Sequence, residues 1–239
     1  MEIKEFKEFF IEECNKNGIK IEENLIEKFY VYMKEILRWN EKVNVTAIKE
    51  EKEFIVKHFI DSLTIEKYIK NGKKILDIGT GAGFPGIPIK IVKNESEVVL
   101  VDSVNKKLNV IRDIITKIEL EKIECIHSRA EDLAKDSNYR EKFDVVTSRA
   151  VSNLSTLVEY MLPFAKIGGK IICMKGPSYE EELENAKNAI KILGGKLEEI
   201  ETTNIDGELE RNILIIKKEK PTPKQYPRGQ GKPLKEPIK

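Results

Sequence analysis

The chain of 239 residues is 40% hydrophobic and 35% charged, with a formal net charge of +1. That is the size and make-up of one water-facing α/β domain with an appendage rather than of two full domains. It holds no run of about 18 apolar residues that could span a bilayer, and Met1–Glu5 lacks the apolar stretch of a secretory leader. Cys14, Cys125 and Cys173 are scattered, with no Cys-x-x-Cys or His/Cys cluster. They argue against a disulfide framework and a zinc site, and for a cytoplasmic protein.

In chain order, the N-terminal segment reads as helices. Phe6, Phe9 and Phe10, and then Leu25, Phe29, Tyr32, Met33 and Ile36, recur at helical spacing, which predicts core-facing stripes. Gly18 divides the two runs, Trp39-Asn40 closes the second, and Val43-Asn44-Val45-Thr46 follows as a polar turn. From residue 74 short β-branched runs alternate with amphipathic stretches. The expected strands are Lys74–Ile78, Val98–Val101, Ile123–Ile126, Phe143–Thr147 and Lys170–Met174, the last entered through a turn at Gly168-Gly169. The expected helices between and after them are Asn105–Ile118, Leu154–Ala165 and Tyr179–Leu193. Strands separated by helices predict βαβ units in a mostly parallel sheet. Lys196–Thr202 and Arg211–Ile216 predict an antiparallel pair at its edge.

Charge is unevenly spread. Residues 1–30 carry eight acids against five lysines, whereas residues 217–239 carry eight bases against two acids and five of the nine prolines. A basic, proline-rich end without apolar periodicity predicts an extended tail with no core of its own. It suits a polyanionic partner; a merely solvated end is the plainer reading. The expected organisation is a helical extension over 1–70, a ligand-binding α/β domain over 71–218, and a basic tail over 219–239.

The chemistry concentrates after the first strand, where Asp77-Ile78-Gly79-Thr80-Gly81-Ala82-Gly83-Phe84-Pro85-Gly86 forms a glycine-rich strand-to-helix turn. Glycines there let a ligand approach the main chain, and proline suits a first helical turn. Gly81, Gly83 and Gly86 also match Gly-x-Gly-x-x-Gly, a weak signal by itself. The next strand ends in Asp102, which should sit beside the loop at the carboxyl ends of the strands. A carboxylate there can accept both hydroxyls of an adenosine-type ribose, or it can simply cap a helix. Asp77 would repel a pyrophosphate but can face the cationic methionine end of S-adenosylmethionine. The only histidines, His58 and His127, are poorly placed for hydride chemistry. The methyl donor is therefore favoured over a nicotinamide.

Thr147-Ser148-Arg149-Ala150-Val151 after the fourth strand contains no Asn/Asp-Pro-Pro-aromatic element for gripping an exocyclic amine. Cys173 lies within a strand and reads as a small core residue. A purine ring nitrogen, whose lone pair needs no deprotonation, fits a site without an evident base, because alignment can supply roughly 7–11 kcal/mol. No residue is assigned as general base.

These segments, together with His58-Phe59-Ile60-Asp61-Ser62-Leu63, Ser128-Arg129-Ala130-Glu131, Met174-Lys175-Gly176 and Thr222–Arg228, resemble the ribosomal RNA small-subunit methyltransferase G family (GidB) along nearly the whole chain. The one departure noted is Val45, where the family's usual turn has leucine. The resemblance implies a Rossmann-like, class I S-adenosylmethionine-dependent methyltransferase fold, a mostly parallel sheet with helices on both faces plus an N-terminal helical extension. It implies methylation of N7 of a guanine in 16S rRNA near the decoding centre, on RNA or on the 30S particle; the alternatives are a non-catalytic, cofactor-binding ribosome-assembly factor and a methyltransferase acting on protein or a small molecule. It implies S-adenosylmethionine and no metal, with neither membrane nor oligomer: a monomer is expected. To Asp77 and Gly81, which the loop itself puts at the cofactor, it adds Gly79 and Phe84, then Asp102, Ser103 and Val104, then Ala130, Glu131 and Arg149, with Arg149 also beside the acceptor pocket. Lys175, Arg211, Tyr226, Arg228 and Lys232 are the expected RNA contacts, Tyr226 by stacking. His58 and Asp61 are given no catalytic part. Loss of residues 219–239 is expected to weaken RNA binding and leave cofactor affinity nearly unchanged, although the prolines could also let the tail lie against the domain and support the cofactor site.

Overall fold

The computed structural model describes residues 1–149, 152–205, 207 and 209–238; Ala150 and Val151 of the fourth-strand motif and Lys239 of the tail lie outside the described residues. Among the described residues, seven strands form one sheet in the order β3-β2-β1-β4-β5-β7-β6. They are β1 (Lys74–Ile78), β2 (Glu97–Asp102), β3 (Ile123–His127), β4 (Phe143–Arg149), β5 (Ala165–Lys175), β6 (Gly195–Ile205) and β7 (Leu209–Lys218). The first five pair parallel, and β7 runs antiparallel between β5 and β6. This matches the expected parallel sheet with an antiparallel edge pair.

Strand residues are apolar on both sides because both faces are covered. Ile75, Leu100, Val145, Ile172 and Ile215 point into one buried cluster; their neighbours Leu76, Val101, Val146, Ile171 and Ile216 point into a second. The first cluster is roofed by α1 (Ile3–Lys16), α2 (Ile26–Asn40) and the helical run Glu51–Leu63, which begins as α3 (Glu51–Phe54) and ends as α4 (Asp61–Leu63), and by α5 (Gly86–Val92) and α6 (Asn105–Lys117). The aromatic stripe foreseen in the N-terminal helices, Phe6, Phe10, Phe29 and Tyr32, is completely buried there, although Phe9 is only partly so. Residues 1–70 therefore share one core with the sheet. The second cluster is covered by α7 (Ala130–Leu133), α8 (Leu154–Met161) and α9 (Tyr179–Ile192).

Two local expectations shift. The helix expected to reach Ala165 stops at Met161, because Pro163 follows and Ala165 pairs with Phe143 as the start of β5. The Gly168-Gly169 turn lies within β5, where Gly168 is left-handed and the register against β4 slips. A side chain on Gly169 would meet the Asp144 carbonyl at 2.8 Å, so the bulge needs glycine at that point.

Of the two paths expected for the C-terminus, the structure shows the one that lies against the domain. Residues 219–238 form a strap against the body rather than a free tail. The Arg140 guanidinium donates to the carbonyls of Tyr226 (2.8 Å) and Thr222 (2.9 Å), and the Glu141 carboxylate accepts from the Thr222 amide at 2.8 Å. Fully buried Lys218 donates to the Leu162 carbonyl at 2.6 Å and to the Thr222 hydroxyl. Arg228 makes a two-pronged ion pair with the fully buried Glu159 of α8, at 2.9 and 2.7 Å. Prolines suit this extended, pinned path because their φ is already fixed. Short helix α10 (Lys232–Lys235) ends the strap, with the Pro233 carbonyl accepting from Thr156 at 2.8 Å.

Candidate active site at the carboxyl ends of the strands

The loop after β1 is set by Asp77, which is completely buried. Its Oδ2 accepts from the Thr80 hydroxyl (2.7 Å) and the Gly86 amide (3.0 Å), and its Oδ1 from the Thr147 hydroxyl (3.3 Å). Those bonds hold the loop's two ends together across β1 and β4. Asp77 therefore shapes the loop from beneath, and it is not among the residues that line the neighbouring cleft. A Cβ on Gly86 would lie 2.8 Å from Asp77 Oδ2 and also strike Leu100, so only glycine fits.

Asp102 closes the loop from the β2 side. Its Oδ2 accepts from the Gly81 amide (2.9 Å) and its Oδ1 from the Val104 amide (2.8 Å). Each carboxylate oxygen retains a further lone pair for a ligand hydroxyl. Here the two sequence readings of Asp102 converge: it braces the chain entering α6 and borders a cleft.

That cleft, about 360 Å³, is lined by Gly79, Asp102, Ser103, Ala130 and Glu131, all foreseen, and by Ile78, Val101, Ser128, Arg129 and Tyr160, which were not. Ser128 and Arg129 were legible as neighbours of Ala130-Glu131. Tyr160 sits on a helix whose sequence marks only a core-facing stripe. Gly81 and Val104 shape the cleft through their amides without lining it. Bare backbone at Gly79, the carboxylate that ends β2, a second carboxylate on the helix after β3, and apolar Ile78, Val101 and Ala130 between them fit a nucleoside with its base and ribose buried.

Phe84 points the other way. Its ring is 4% exposed, stacked on His58 with centroids 4.4 Å apart and planes 8° from parallel, and also against Tyr32 at 5.3 Å. It fastens the loop to the helical layer and is not a lining residue of the cleft.

Arg149, at the end of β4, lies over the opposite part of that assembly, 5.0 Å from the Phe84 centroid. It donates to Asp61 Oδ2 (3.0 Å), to His58 Nδ1 (3.0 Å) and to the Lys57 carbonyl (3.1 Å). Asp61 is completely buried and also receives Arg211 of β7 at 2.7 and 2.9 Å. One carboxylate thus holds two guanidinium groups that lie 88 and 150 residues away in sequence. The segment Ile55–Ile60 preceding Asp61 is π-helical, an irregularity common where side chains must be re-aimed. His58 and Asp61, given no role from sequence, are the residues that position Arg149. Their signal was present only as a His-x-x-Asp pair in an otherwise apolar helix.

The expected RNA contacts divide. Lys175 is 7% exposed and held by the Ser152 carbonyl (2.7 Å) and Glu182 (2.6 Å), so it orders the segment after β4. Arg211 is engaged by Asp61 and Arg228 by Glu159. Tyr226, within the strap, is half-buried and packs its ring on the second apolar cluster. Lys232 is exposed.

Burial pushes Asp77 up from 3.8 to about 6, against the lowering pull of its Thr80 and Gly86 bonds. Burial and the Arg149 charge push His58 down from 6.5 to about 3, so it is neutral and its Nδ1 accepts from Arg149. The stability consequences oppose one another. Asp77 binds its proton more tightly when folded, so its contribution is full below 3.8 and is lost as pH rises through 6. His58 binds a proton more readily when unfolded, so its contribution is full above 6.5 and is lost as pH falls toward 3. Urea melts between pH 4 and 7 should show His58→Gln less acid-sensitive than the parent and Asp77→Asn more so; parallel pH profiles for all three proteins would contradict these assignments.

A parallel sheet in this strand order, with a glycine-rich loop after β1 and an acid ending β2, defines a class I methyltransferase. The family model described as rRNA small subunit methyltransferase G (GidB) matches residues 25–214. The chain is 53% identical over 213 residues to a protein of Clostridium novyi called ribosomal RNA small subunit methyltransferase G, covering 87% of this chain and 88% of that one. It is 45% identical over 242 residues to a protein of the same name from Acetivibrio thermocellus, covering the whole of both. A solved S-adenosylmethionine-dependent methyltransferase from Aquifex aeolicus superposes with a TM-score of 0.54 at 17% identity, over 72% of this chain and 96% of that one, a likeness of fold. The chain belongs to the rRNA small subunit methyltransferase G (GidB) family. Among the described residues no group of three His, Cys, Asp or Glu could hold a metal ion, and no helix is long and apolar enough to cross a membrane.

Proposed function

We propose that this protein transfers the methyl group of S-adenosylmethionine to N7 of one guanine in 16S rRNA, acting in the cytoplasm on the RNA or the 30S particle. The observation that carries the reading is the nucleoside-sized cleft whose rim is Asp102, within a family whose named activity is on small-subunit rRNA. When bound, the cofactor supplies an electrophilic methyl group on a sulfonium.

The protein's own contribution is placement. Asp102 accepts the ribose hydroxyls with the lone pairs not given to Gly81 and Val104, while Ala130 and Glu131 flank the base. Gly79 leaves the main chain open to the ligand. Arg149, immobilised by Asp61, His58 and Phe84, offers a fixed cation to the carboxylate at the methionine end. Guanine N7 carries an in-plane lone pair, so the acceptor needs alignment and no proton removal.

Asp102→Ala removes an acceptor from the ribose and a brace from the loop. Charge-assisted hydrogen bonds are worth about 1.5–3 kcal/mol each, so S-adenosylhomocysteine affinity should fall at least tenfold by calorimetry, with the fold intact by circular dichroism. Unchanged affinity would remove Asp102 from the site. The decisive experiment for the function is mass spectrometry of 16S rRNA from cells lacking the protein. One 7-methylguanine should be missing and should return when purified protein and S-adenosylmethionine are added to 30S particles or rRNA; an unaltered modification map would overturn the reading.

A further inference from the structure

The strap begins after β7 and builds a second hollow beside the cofactor cleft. This groove, about 740 Å³, lies between the strap loop Gln225–Lys232 and helix α7. Arg129 and Glu131 line both hollows, so the groove and the cleft are contiguous.

Its lining is wholly polar, with four cations against two acids. Arg129 and Lys135 come from the body, Arg228 and Lys232 from the strap, and no apolar side chain lines it. Of the two acids present, Asp132 pairs with Lys135 at 3.1 Å and Glu131, 5% exposed, stands 3.8 Å from Arg129. Arg228 is locked in direction by Glu159, an acid outside the groove lining, and its Nη1 has no hydrogen-bond partner among the described residues. Lys232 makes no ion pair among them. The groove therefore presents cations along both walls, with the amides of Gln225 and Gln230 beside them. An apolar peptide or lipid would find nothing to bury there. A chain of phosphates would find spaced positive charges and hydrogen-bond donors.

We infer that this groove holds backbone phosphates of the substrate RNA, so that the strap supplies half of an RNA-binding surface beside the cofactor cleft. The inference rests on the rRNA reading above. It relocates the RNA contact of the C-terminus from a loose tail to a rigid groove, with Lys232 and Lys135 as the accessible cations.

The test uses the full chain with Lys135→Gln and Lys232→Gln together, and a control of equal charge change on α9, Lys187→Gln with Lys191→Gln. None of these four residues lines the cofactor cleft. Binding to 16S rRNA and to 30S particles is measured across a salt series, with S-adenosylhomocysteine affinity and melting temperature alongside. Each phosphate contact to single strands contributes about 0.7 to the slope of log affinity on log salt. The groove pair should therefore flatten that slope by roughly 1–1.5 and weaken RNA binding several-fold at moderate salt. Its cofactor affinity and melting temperature should match the parent, and the control should bind RNA like the parent. Equal loss in both pairs, or no loss in either, would overturn the groove. Loss on 30S particles with unchanged binding to bare rRNA would also overturn it, by pointing to a ribosomal protein. If the parent itself neither binds nor methylates rRNA, the functional reading fails, a result separable from all of these.

Discussion

Asp61→Ala is expected to be the most damaging single substitution outside the cofactor cleft. Asp61 is completely buried, and it neutralises Arg149 and Arg211 through three bonds of 2.7–3.0 Å. Removing the acid leaves two guanidinium groups facing one another, and His58 cannot take over because it is already neutral and accepting. Breaking a buried pair by deleting one partner costs about 3–5 kcal/mol, a large part of the roughly 5–15 kcal/mol that holds a typical domain folded. Denaturant melts should show a loss of that size. Asp61→Asn keeps the shape and one acceptor oxygen, and should fold well enough for assay. In that variant S-adenosylhomocysteine should bind at least tenfold more weakly and turnover should fall with it, because Arg149 loses its fixed direction. Parental cofactor binding in a folded Asp61→Asn protein would show that Arg149 needs no such support.

Deletion of residues 219–239 should cost both stability and cofactor affinity, reversing what the composition of this segment suggests. Three charged groups of the body are satisfied by the strap. Glu159 loses Arg228, Arg140 loses the carbonyls of Thr222 and Tyr226, and buried Lys218 loses Thr222. Glu159 is completely buried, so its exposure on deletion relieves part of the penalty, and the net loss should be about 2–4 kcal/mol. Glu159 also adjoins Tyr160, which lines the cofactor cleft, so the cleft should loosen. By linkage the coupling is reciprocal: in the intact protein S-adenosylhomocysteine should slow amide exchange at strap residues 222–230. A truncated protein with parental melting temperature and cofactor affinity, or strap amides indifferent to ligand, would return the segment to the status of a free tail.

The legibility of this protein follows the range of the forces involved. Strand and helix positions from residue 74 onward were readable because burial of both sheet faces imposes long apolar runs, and because glycine and proline mark the breaks locally. The helical stripe of Phe6, Phe10, Phe29 and Tyr32 was readable for the same reason. The cleft was readable at Gly79, Asp102, Ser103, Ala130 and Glu131, since parallel strands bring their carboxyl ends to one edge whatever else the chain does.

Local patterning along the chain, then, sets the order of strands and helices, the loop, and the acids at the carboxyl-terminal parts of β1 and β2. Which way those side chains face is a tertiary matter. Asp77 turned beneath the loop because Thr80, Gly86 and Thr147 offer it donors once β1 and β4 are paired. Arg149, Arg211 and Asp61 found one another because β4, β7 and the N-terminal helical layer converge, and a buried charge must be paired wherever its partner comes from. The basic C-terminus became a strap for a related reason. Its composition measures only the cations it carries, whereas Glu159, Glu141 and Arg140, the groups that fasten it, belong to distant parts of the chain. The glycine-rich loop could be read from ten consecutive residues; the groups that hold it, face it and surround it could be seen only after folding had brought them together.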